Sequence, residues 1–151
     1  MSWVGRPVAL PESVGAALNA LLGAHVHRVR VIENSLFVRL HGRAVATTRR
    51  NRIYLRRSAA EFFEDPWLML HEYWHVIGQW EPRKLTIGRY LAECVRHGYW
   101  NNRFEVEARA FADAHAHQLR MLLADGPQAR ADRTVLPVSP AALPADIAGR
   151  R

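Results

Sequence analysis

Two histidines four residues apart, with a glutamate directly after the first, stand out in the segment His71-Glu72-Tyr73-Trp74-His75. On an α-helix, residues four apart lie on the same face, so His71 and His75 direct two imidazoles at one point in space. Neutral imidazole nitrogen is a good ligand for zinc. The spacing therefore predicts two metal ligands on one helical turn.

Glu72 is predicted to lie beside a metal held by these histidines rather than on it. Zinc lowers the pKa of a bound water from about 16 to about 7, which makes it a usable nucleophile at neutral pH. A carboxylate beside that water can take its proton, so His-Glu-x-x-His supplies two ligands and a general base. The alternative is that both histidines pack against the neighbouring aromatic residues Tyr73, Trp74 and Trp80.

A zinc site of this kind needs a third protein ligand and leaves the fourth position for water. Because Cys94 is the only cysteine, we expect histidine and carboxylate ligands. A helix predicted at 103–123 offers Glu105 and Glu107, and one of them is expected to bind the metal. At about 100° per residue, Glu105 lies roughly 60° from the centre of that helix's apolar stripe and Glu107 roughly 100° away on the other flank. The angles favour Glu105.

Other polar residues are weaker candidates for roles at this site. Arg109 follows Glu105 by four residues, so it could orient that carboxylate or form an ordinary exposed ion pair. Asp113 could accept a hydrogen bond from the free ring nitrogen of a histidine ligand, or it could be a cap or a solvated acid. The oxyanion that forms when water attacks a carbonyl has three candidate stabilisers, Tyr99, His97 and His115.

The helix that carries the motif has a clear start in the sequence. Asp65 can accept hydrogen bonds from the free N–H groups of the first turn, and Pro66 suits the first helical position. Apolar residues continue through Ile77, and Gly78 marks the end. Further helices are predicted at 12–22, 87–97 and 103–123.

Three β-type segments precede this helix. Alternating apolar residues and β-branched residues predict strands over 26–32, 43–48 and 51–56. Residues 49–51 are short enough to form a hairpin turn between the last two strands. We therefore expect a small antiparallel sheet before the metal motif.

The length of 151 residues fits one domain, which we place at 1–124, followed by a flexible tail rich in proline and alanine at 125–151. The formal net charge of +7 permits contact with nucleic acid, although charge alone favours the simpler interpretation of a solvated basic surface. No apolar run approaches the ~20 residues of a membrane span, and the N-terminus does not resemble a secretory signal. We expect a cytoplasmic protein without a membrane partner, or one exported by a dedicated secretion system.

The motif and the later glutamates together resemble the zincin metallopeptidases whose third zinc ligand is a glutamate. In those proteins a later helix carries Glu-x-x-Ala-Asp or a variant, which matches Glu105 to the ligand and Ala108 to the alanine. Arg109 stands where many members have aspartate, so the resemblance assigns no second carboxylate on this helix.

A closer resemblance covers about residues 20–80. Short segments from Leu22-Gly23 through Ala46-Thr47-Thr48 to Leu70-His71-Glu72 and Gln79 follow the order of the bacterial DUF4157 domain, which is associated with toxins and contractile injection systems. The resemblance implies a single zincin-like α+β domain, with a small sheet packed on the active-site helix and a downstream helix that carries the third ligand.

The function expected from these features is zinc-dependent hydrolysis of peptide bonds in a peptide or protein substrate. Zinc would be bound by His71, His75 and Glu105, with Glu72 as general base. One alternative is a non-catalytic zinc-binding accessory domain of a toxin or secretion system. The other is a basic protease associated with nucleic acid, suggested by the arginines at 49–52 and 56–57.

Overall fold

A small β-sheet and a set of helices make up the part of the chain that the computed structural model describes, residues 5–39 and 44–125. The predicted α+β class is confirmed. The elements follow in this order: β1 (Arg6–Val8), α1 (Glu12–Leu22), a 3₁₀ turn (Ala24–Arg28), β2 (Arg30–Glu33), α2 (Leu36–Arg39), β3 (Ala46–Arg49), β4 (Arg52–Leu55), α3 (Ala59–Phe63), α4 (Pro66–Trp74), a π-helical segment (His75–Trp80), α5 (Ile87–His97) and α6 (Arg103–Ala124). The tail predicted from residue 125 lies outside the described residues from position 126 onward.

The sheet has the strand order β1-β2-β4-β3 and is mixed, so the prediction of an antiparallel sheet is wrong at its centre. β2 and β4 run parallel, with Val31 opposite Ile53, whereas the two outer pairs are antiparallel. The order of the strands follows from their burial. β4 buries three consecutive residues, Ile53, Tyr54 and Leu55, and so fits a central position. β3 is only partly buried and forms an edge.

The first predicted strand is shorter than expected, because residues 24–28 form a 3₁₀ turn and β2 begins only at Arg30. Gly23 has a φ of 83°, and the Val29 N–H donates to the Val26 carbonyl three residues back. Val26 is buried in this turn as it would be in a strand, so the apolar pattern does not separate the two. The chain also forms an unpredicted edge strand, β1, which contains Pro7, a residue that edge strands tolerate.

The helix that carries the motif lies in the core. Asp65 caps it as predicted, since its Oδ1 accepts a 3.0 Å hydrogen bond from the Leu68 N–H. Met69, Leu70 and Tyr73 are fully buried. The helix packs along α6, where the Trp74 and Phe111 rings stack at 4.1 Å between centroids. The first two candidate ligands are therefore held on a rigid support.

The motif helix does not continue as an α-helix to Ile77, as the sequence pattern predicts. From His75 to Trp80 it widens into a π-helical segment, in which the Glu81 N–H donates to the Val76 carbonyl five residues back. Gly78 lies directly against the Trp74 indole, where a Cβ atom would come within 2.6 Å of a ring atom. Such π segments are frequent at functional sites.

Two further helices complete the site. α5 has the predicted bounds and begins at Thr86, whose Oγ1 accepts from the Arg89 N–H at 3.3 Å. α6 begins after Asn102, whose side chain accepts from the Phe104 N–H at 3.0 Å, and it ends one residue later than predicted. Within the described ranges, no helix is both long enough and apolar enough to cross a membrane.

Candidate metal centre

Three side chains from two parts of the chain meet in the interior. His71 lies on α4, His75 begins the π-helical segment, and Glu105 lies in the first turn of α6. The two Nε2 atoms are 3.1 Å apart, His71 Nε2 is 3.4 Å from Glu105 Oε2, and His75 Nε2 is 3.6 Å from Glu105 Oε1. All three residues are buried, with at most 7% of their surface exposed. They form a group that could hold a metal ion.

The spacing of these atoms fits a tetrahedral ion. Ligands at 2.0–2.1 Å from zinc in tetrahedral geometry are about 3.3 Å from one another, close to the three distances observed here. Glu105 Oε2 is buried and has no hydrogen bond from any described residue. A buried carboxylate oxygen without a donor is costly unless a cation neutralises it. The donor set therefore fits a bound metal better than an empty core.

Gln79 fixes the orientation of His75. Its amide Nε2 donates to the Phe104 carbonyl at 2.9 Å and to Glu107 Oε2 at 3.0 Å. Its Oε1 is therefore the acceptor that faces His75 Nδ1 at 2.8 Å, so Nδ1 carries the proton. This leaves the lone pair of His75 Nε2 directed at His71 and Glu105, the tautomer that a metal ligand needs.

Glu105 and Glu107 have different positions. Glu105 reaches the histidines, whereas Glu107 lies behind Gln79 and accepts its hydrogen bond. The structure thus places Glu105, the residue that the helical angles favour, next to His71 and His75. The resemblance to the DUF4157 domain includes Gln79 but gives it no role. Its position four residues after His75 was the local signal for a supporting role.

Tyr90 is a residue of the site that sequence reasoning missed. Its hydroxyl donates a 2.7 Å hydrogen bond to Glu105 Oε1. Tyr90 lies on α5, which enters the site only through the tertiary fold, so no sequence spacing connects it with the motif. Burial raises the pKa of the Tyr90 hydroxyl, and the charge of Glu105 adds to this effect. The hydroxyl therefore keeps its proton and donates.

Among the described residues, His71 is supported by ring stacking rather than by a hydrogen bond to its second ring nitrogen. The Trp67 indole stacks on the His71 ring at 5.1 Å between centroids and 16° between planes, and Trp67 Nε1 donates to Asp113 Oδ1 at 2.7 Å. His71 Nδ1 is buried and has no hydrogen-bond partner within the described part. Asp113 therefore contacts the Trp67 indole rather than a candidate histidine ligand, and Trp67 is part of the site.

Arg109 takes neither of its predicted roles. It donates to the Trp100 carbonyl, and its guanidinium carbon lies 4.3 Å from the centre of the Trp100 ring. Of the three oxyanion candidates, only Tyr99 lines the cleft beside the metal centre. His97 is exposed on α5 near Glu93, and His115 packs against Phe111.

Glu72 faces the cleft together with the candidate ligands. Two adjoining cavities, of about 470 and 440 Å³, share the walls formed by His71, Glu72, Tyr99 and Glu105. Strand β3 forms another part of the wall, since Ala46 lines both cavities. The candidate centre therefore borders a space large enough for molecules larger than water.

The pKa values of the two glutamates of the candidate centre shift in opposite directions. Burial raises the pKa of Glu72, and the nearby imidazoles of His75 and His71 only partly oppose it. Burial also acts on Glu105, but the adjacent His71 and His75 imidazoles and the hydrogen bond from the Tyr90 hydroxyl outweigh it and lower the pKa of Glu105. Glu105 is thus a stable carboxylate suited to a ligand, whereas Glu72 accepts a proton more readily.

Comparison of the chain with protein-family models, with curated proteins and with solved structures gives no match.

Proposed function

We propose that the protein is a zinc-dependent peptidase of the zincin type. In this proposal His71, His75 and Glu105 hold the metal and Glu72 is the general base. One observation carries it: the buried Glu72 carboxylate faces the same cleft as the three side chains that could hold a metal ion. A base beside a metal, with both open to a substrate-sized space, is the arrangement that metal-assisted hydrolysis requires.

The donor set favours zinc over other cations. Two neutral imidazoles and one carboxylate, all buried, suit a borderline ion, whereas calcium and magnesium prefer ligand sets made of oxygen. Gln79 supports this choice because it holds His75 in the metal-binding tautomer. Tyr90 supports it by holding Glu105 in place.

The chemistry that follows is hydrolysis of an amide. A zinc ion held here would polarise a carbonyl oxygen and lower the pKa of water to about 7. Glu72 accepts the proton of the attacking water and passes it to the leaving amine. Burial raises the pKa of Glu72, which makes its carboxylate a stronger base for the first step.

The edge strand supports a peptide as the substrate. Among the described residues, β3 pairs only with β4, and all four of its residues line the cleft. A free strand edge can form main-chain hydrogen bonds with an extended peptide. Such pairing would hold a substrate chain along the wall of the cleft that β3 forms. A non-peptide amide would gain nothing from it.

Tyr99 is the residue that we propose for stabilising the oxyanion. It lines both cavities, and partial burial of its hydroxyl, together with the charge of Glu105, raises the pKa of that group. The hydroxyl is thus a proton donor at neutral pH, as this role requires. A Tyr99→Phe variant should lower kcat while it leaves zinc content unchanged.

The test of this proposal separates metal binding from catalysis. Elemental analysis of the purified protein should find about one zinc per chain, and Glu105→Ala should lose it while Glu107→Ala keeps it. Glu72→Gln should keep the zinc and lose hydrolysis of a mixed peptide library. Glu72→Gln replaces the carboxylate with an amide of nearly the same shape, so the shape of the cleft should not change.

Two outcomes would count against the proposal. Zinc-loaded protein that cleaves no peptide, with Glu72→Gln indistinguishable from it, would favour the non-catalytic accessory domain. Protein that binds no zinc at all would remove the metal centre itself.

A further inference from the structure

Three arginines stand side by side across one end of the sheet. Arg30 of β2 is the register partner of Arg52 of β4, and Arg52 is in turn the partner of Arg49 of β3. Directly opposite residues point to the same face of a sheet. Since neighbouring strands are about 4.8 Å apart, the row spans about 10 Å. We call these three residues the arginine row.

The arginine row lies on the sheet face opposite the main core. Side chains alternate along a strand, so Arg52 shares its face with Tyr54, while Ile53 points into the main core. Tyr54 belongs to a separate small cluster with Ile32 and Val38. The arginine row thus occupies a surface distinct from the helix that carries the metal centre.

Two of the three guanidinium groups are held in place. The guanidinium carbon of Arg49 lies 5.1 Å from the centre of the Phe37 ring, and Arg49 donates to the Thr48 carbonyl at 3.2 Å. Arg52 donates to the Tyr54 hydroxyl at 3.4 Å. A guanidinium has five N–H donors, so most donors of both groups remain available to a ligand.

No carboxylate of a described residue forms a salt bridge with the arginine row. The salt bridges that arginine side chains form within the described ranges are those of Arg6, Arg57 and Arg103. Like charges directly opposite each other on neighbouring strands are destabilising. An anion that contacts all three guanidinium groups would remove this repulsion.

We propose that the arginine row binds the phosphate backbone of nucleic acid. Arginine recognises phosphate through paired N–H donors. A flat row of about 10 Å exceeds one phosphate group and fits successive phosphates of a polyanion. Two exposed apolar residues, Leu36 and Val45, lie near these strands, but at the end of the sheet away from the arginine row. This placement disfavours insertion of the arginine row into a membrane.

This surface adjoins the cleft without being part of the metal centre. Arg49 belongs to the arginine row and also lines one of the two cavities. Nucleic acid bound along the arginine row would therefore pass beside the cleft. The proposal does not depend on hydrolysis or on metal.

The experiment measures binding of a fluorescent 20-base-pair DNA duplex by anisotropy at several salt concentrations. Each phosphate contact contributes about −0.9 to the slope of log K against log salt. The unmodified protein should give a slope of about −3 or steeper. The double variant Arg30→Gln/Arg52→Gln should reduce the slope by about 2 and weaken binding at low salt at least tenfold.

A matched control separates the arginine row from net charge. Arg96→Gln/Arg120→Gln removes the same two charges from exposed positions on α5 and α6, and it should keep the slope and most of the affinity. Equal weakening by both double variants, or no binding of the unmodified protein at low salt, would overturn the proposal. So would binding of anionic lipid vesicles, but not DNA, that depends on Arg30 and Arg52.

Folding of the variants gives an independent readout. Because removal of the two arginines relieves repulsion, Arg30→Gln/Arg52→Gln should have a urea midpoint equal to or above that of the unmodified protein. A clearly lower midpoint would mean that the arginine row stabilises the fold, which contradicts the argument from repulsion.

Discussion

The Tyr90 hydroxyl donates a 2.7 Å hydrogen bond to Glu105 Oε1, across fifteen positions of sequence. This bond holds the carboxylate so that its other oxygen faces His71. Loss of a partner that orients a metal ligand typically costs 10–100-fold in metal affinity. We expect Tyr90→Phe to weaken zinc binding about 10-fold or more, as measured by competition with a chromophoric chelator.

The matched control for this prediction is Tyr73→Phe. The Tyr73 hydroxyl is buried and has no hydrogen-bond partner among the residues described. Its removal is the same chemical change, made on the helix of the histidines, and should leave zinc affinity unchanged. Equal zinc affinity of Tyr90→Phe and the unmodified protein would show that Glu105 needs no such support.

The sequence predicts the parts of the site that local geometry determines. His71 and His75 follow from helical spacing alone, and Glu105 follows from its angle on α6. Tyr90 contacts Glu105 only after α5 and α6 have packed, so spacing along the chain carries no signal for its role. Trp67 precedes His71 by four residues on α4, so helical spacing predicts their contact but not its role at the site. Sequence reasoning therefore finds the candidate ligands of this centre and misses the side chains that orient them.

Trp67 gives a second prediction, because the indole connects His71 with Asp113. Asp113→Ala removes the acceptor of the Trp67 N–H and frees the indole to tilt from the imidazole. We expect about 10-fold weaker zinc binding, at the lower end of such effects because Asp113 is exposed. Asp113→Asn retains an acceptor oxygen and should restore the affinity. If both variants bind zinc as the unmodified protein does, the stack does not position His71.

The sheet illustrates a different limit of sequence reasoning. Alternation of apolar residues identifies β4 and most of β3, and the turn between them is short enough for a hairpin. Either strand of the hairpin could pair with β2. The strand that does so is β4, which buries three of its four residues. Parallel and antiparallel pairing of β2 leave the same local pattern, so the direction could not be read from these residues.

Glu33 gives a prediction for the pH dependence of stability. Its Oε2 accepts from the Ala59 N–H at 2.8 Å, and its Oε1 accepts from Arg6 Nε at 2.7 Å, so one carboxylate connects β1, β2 and α3. The Ala59 hydrogen bond, with that from Arg6, lowers the pKa of Glu33 from its ordinary value of 4.5. The folded state therefore binds a proton less readily than the unfolded state.

The stability that Glu33 contributes is present above about pH 4.5 and is lost as the pH falls through the lowered value. We expect Glu33→Gln to lower the free energy of unfolding by about 1–2 kcal/mol at pH 7. This difference should shrink as the pH falls below 4.5, in urea titrations made at each pH. Exposed Glu64→Gln is the control and should show no such dependence. A difference that stays constant from pH 7 to pH 3 would contradict the linkage.

Gly78 gives a prediction about the π-helical segment. A Cβ atom at this position would lie 2.6 Å from a ring atom of Trp74, and that indole is buried and stacked on Phe111, so it has little room to move. Gly78→Ala should therefore lower the free energy of unfolding by about 1–3 kcal/mol, although alanine has the better helix propensity. Gly88→Ala on α5, where nothing lies within 4 Å of the added methyl, should instead gain up to about 1 kcal/mol. A urea midpoint that rises for both variants would mean that the Trp74 indole moves to make room for the added methyl group. Close packing against that indole would then not explain the glycine at position 78.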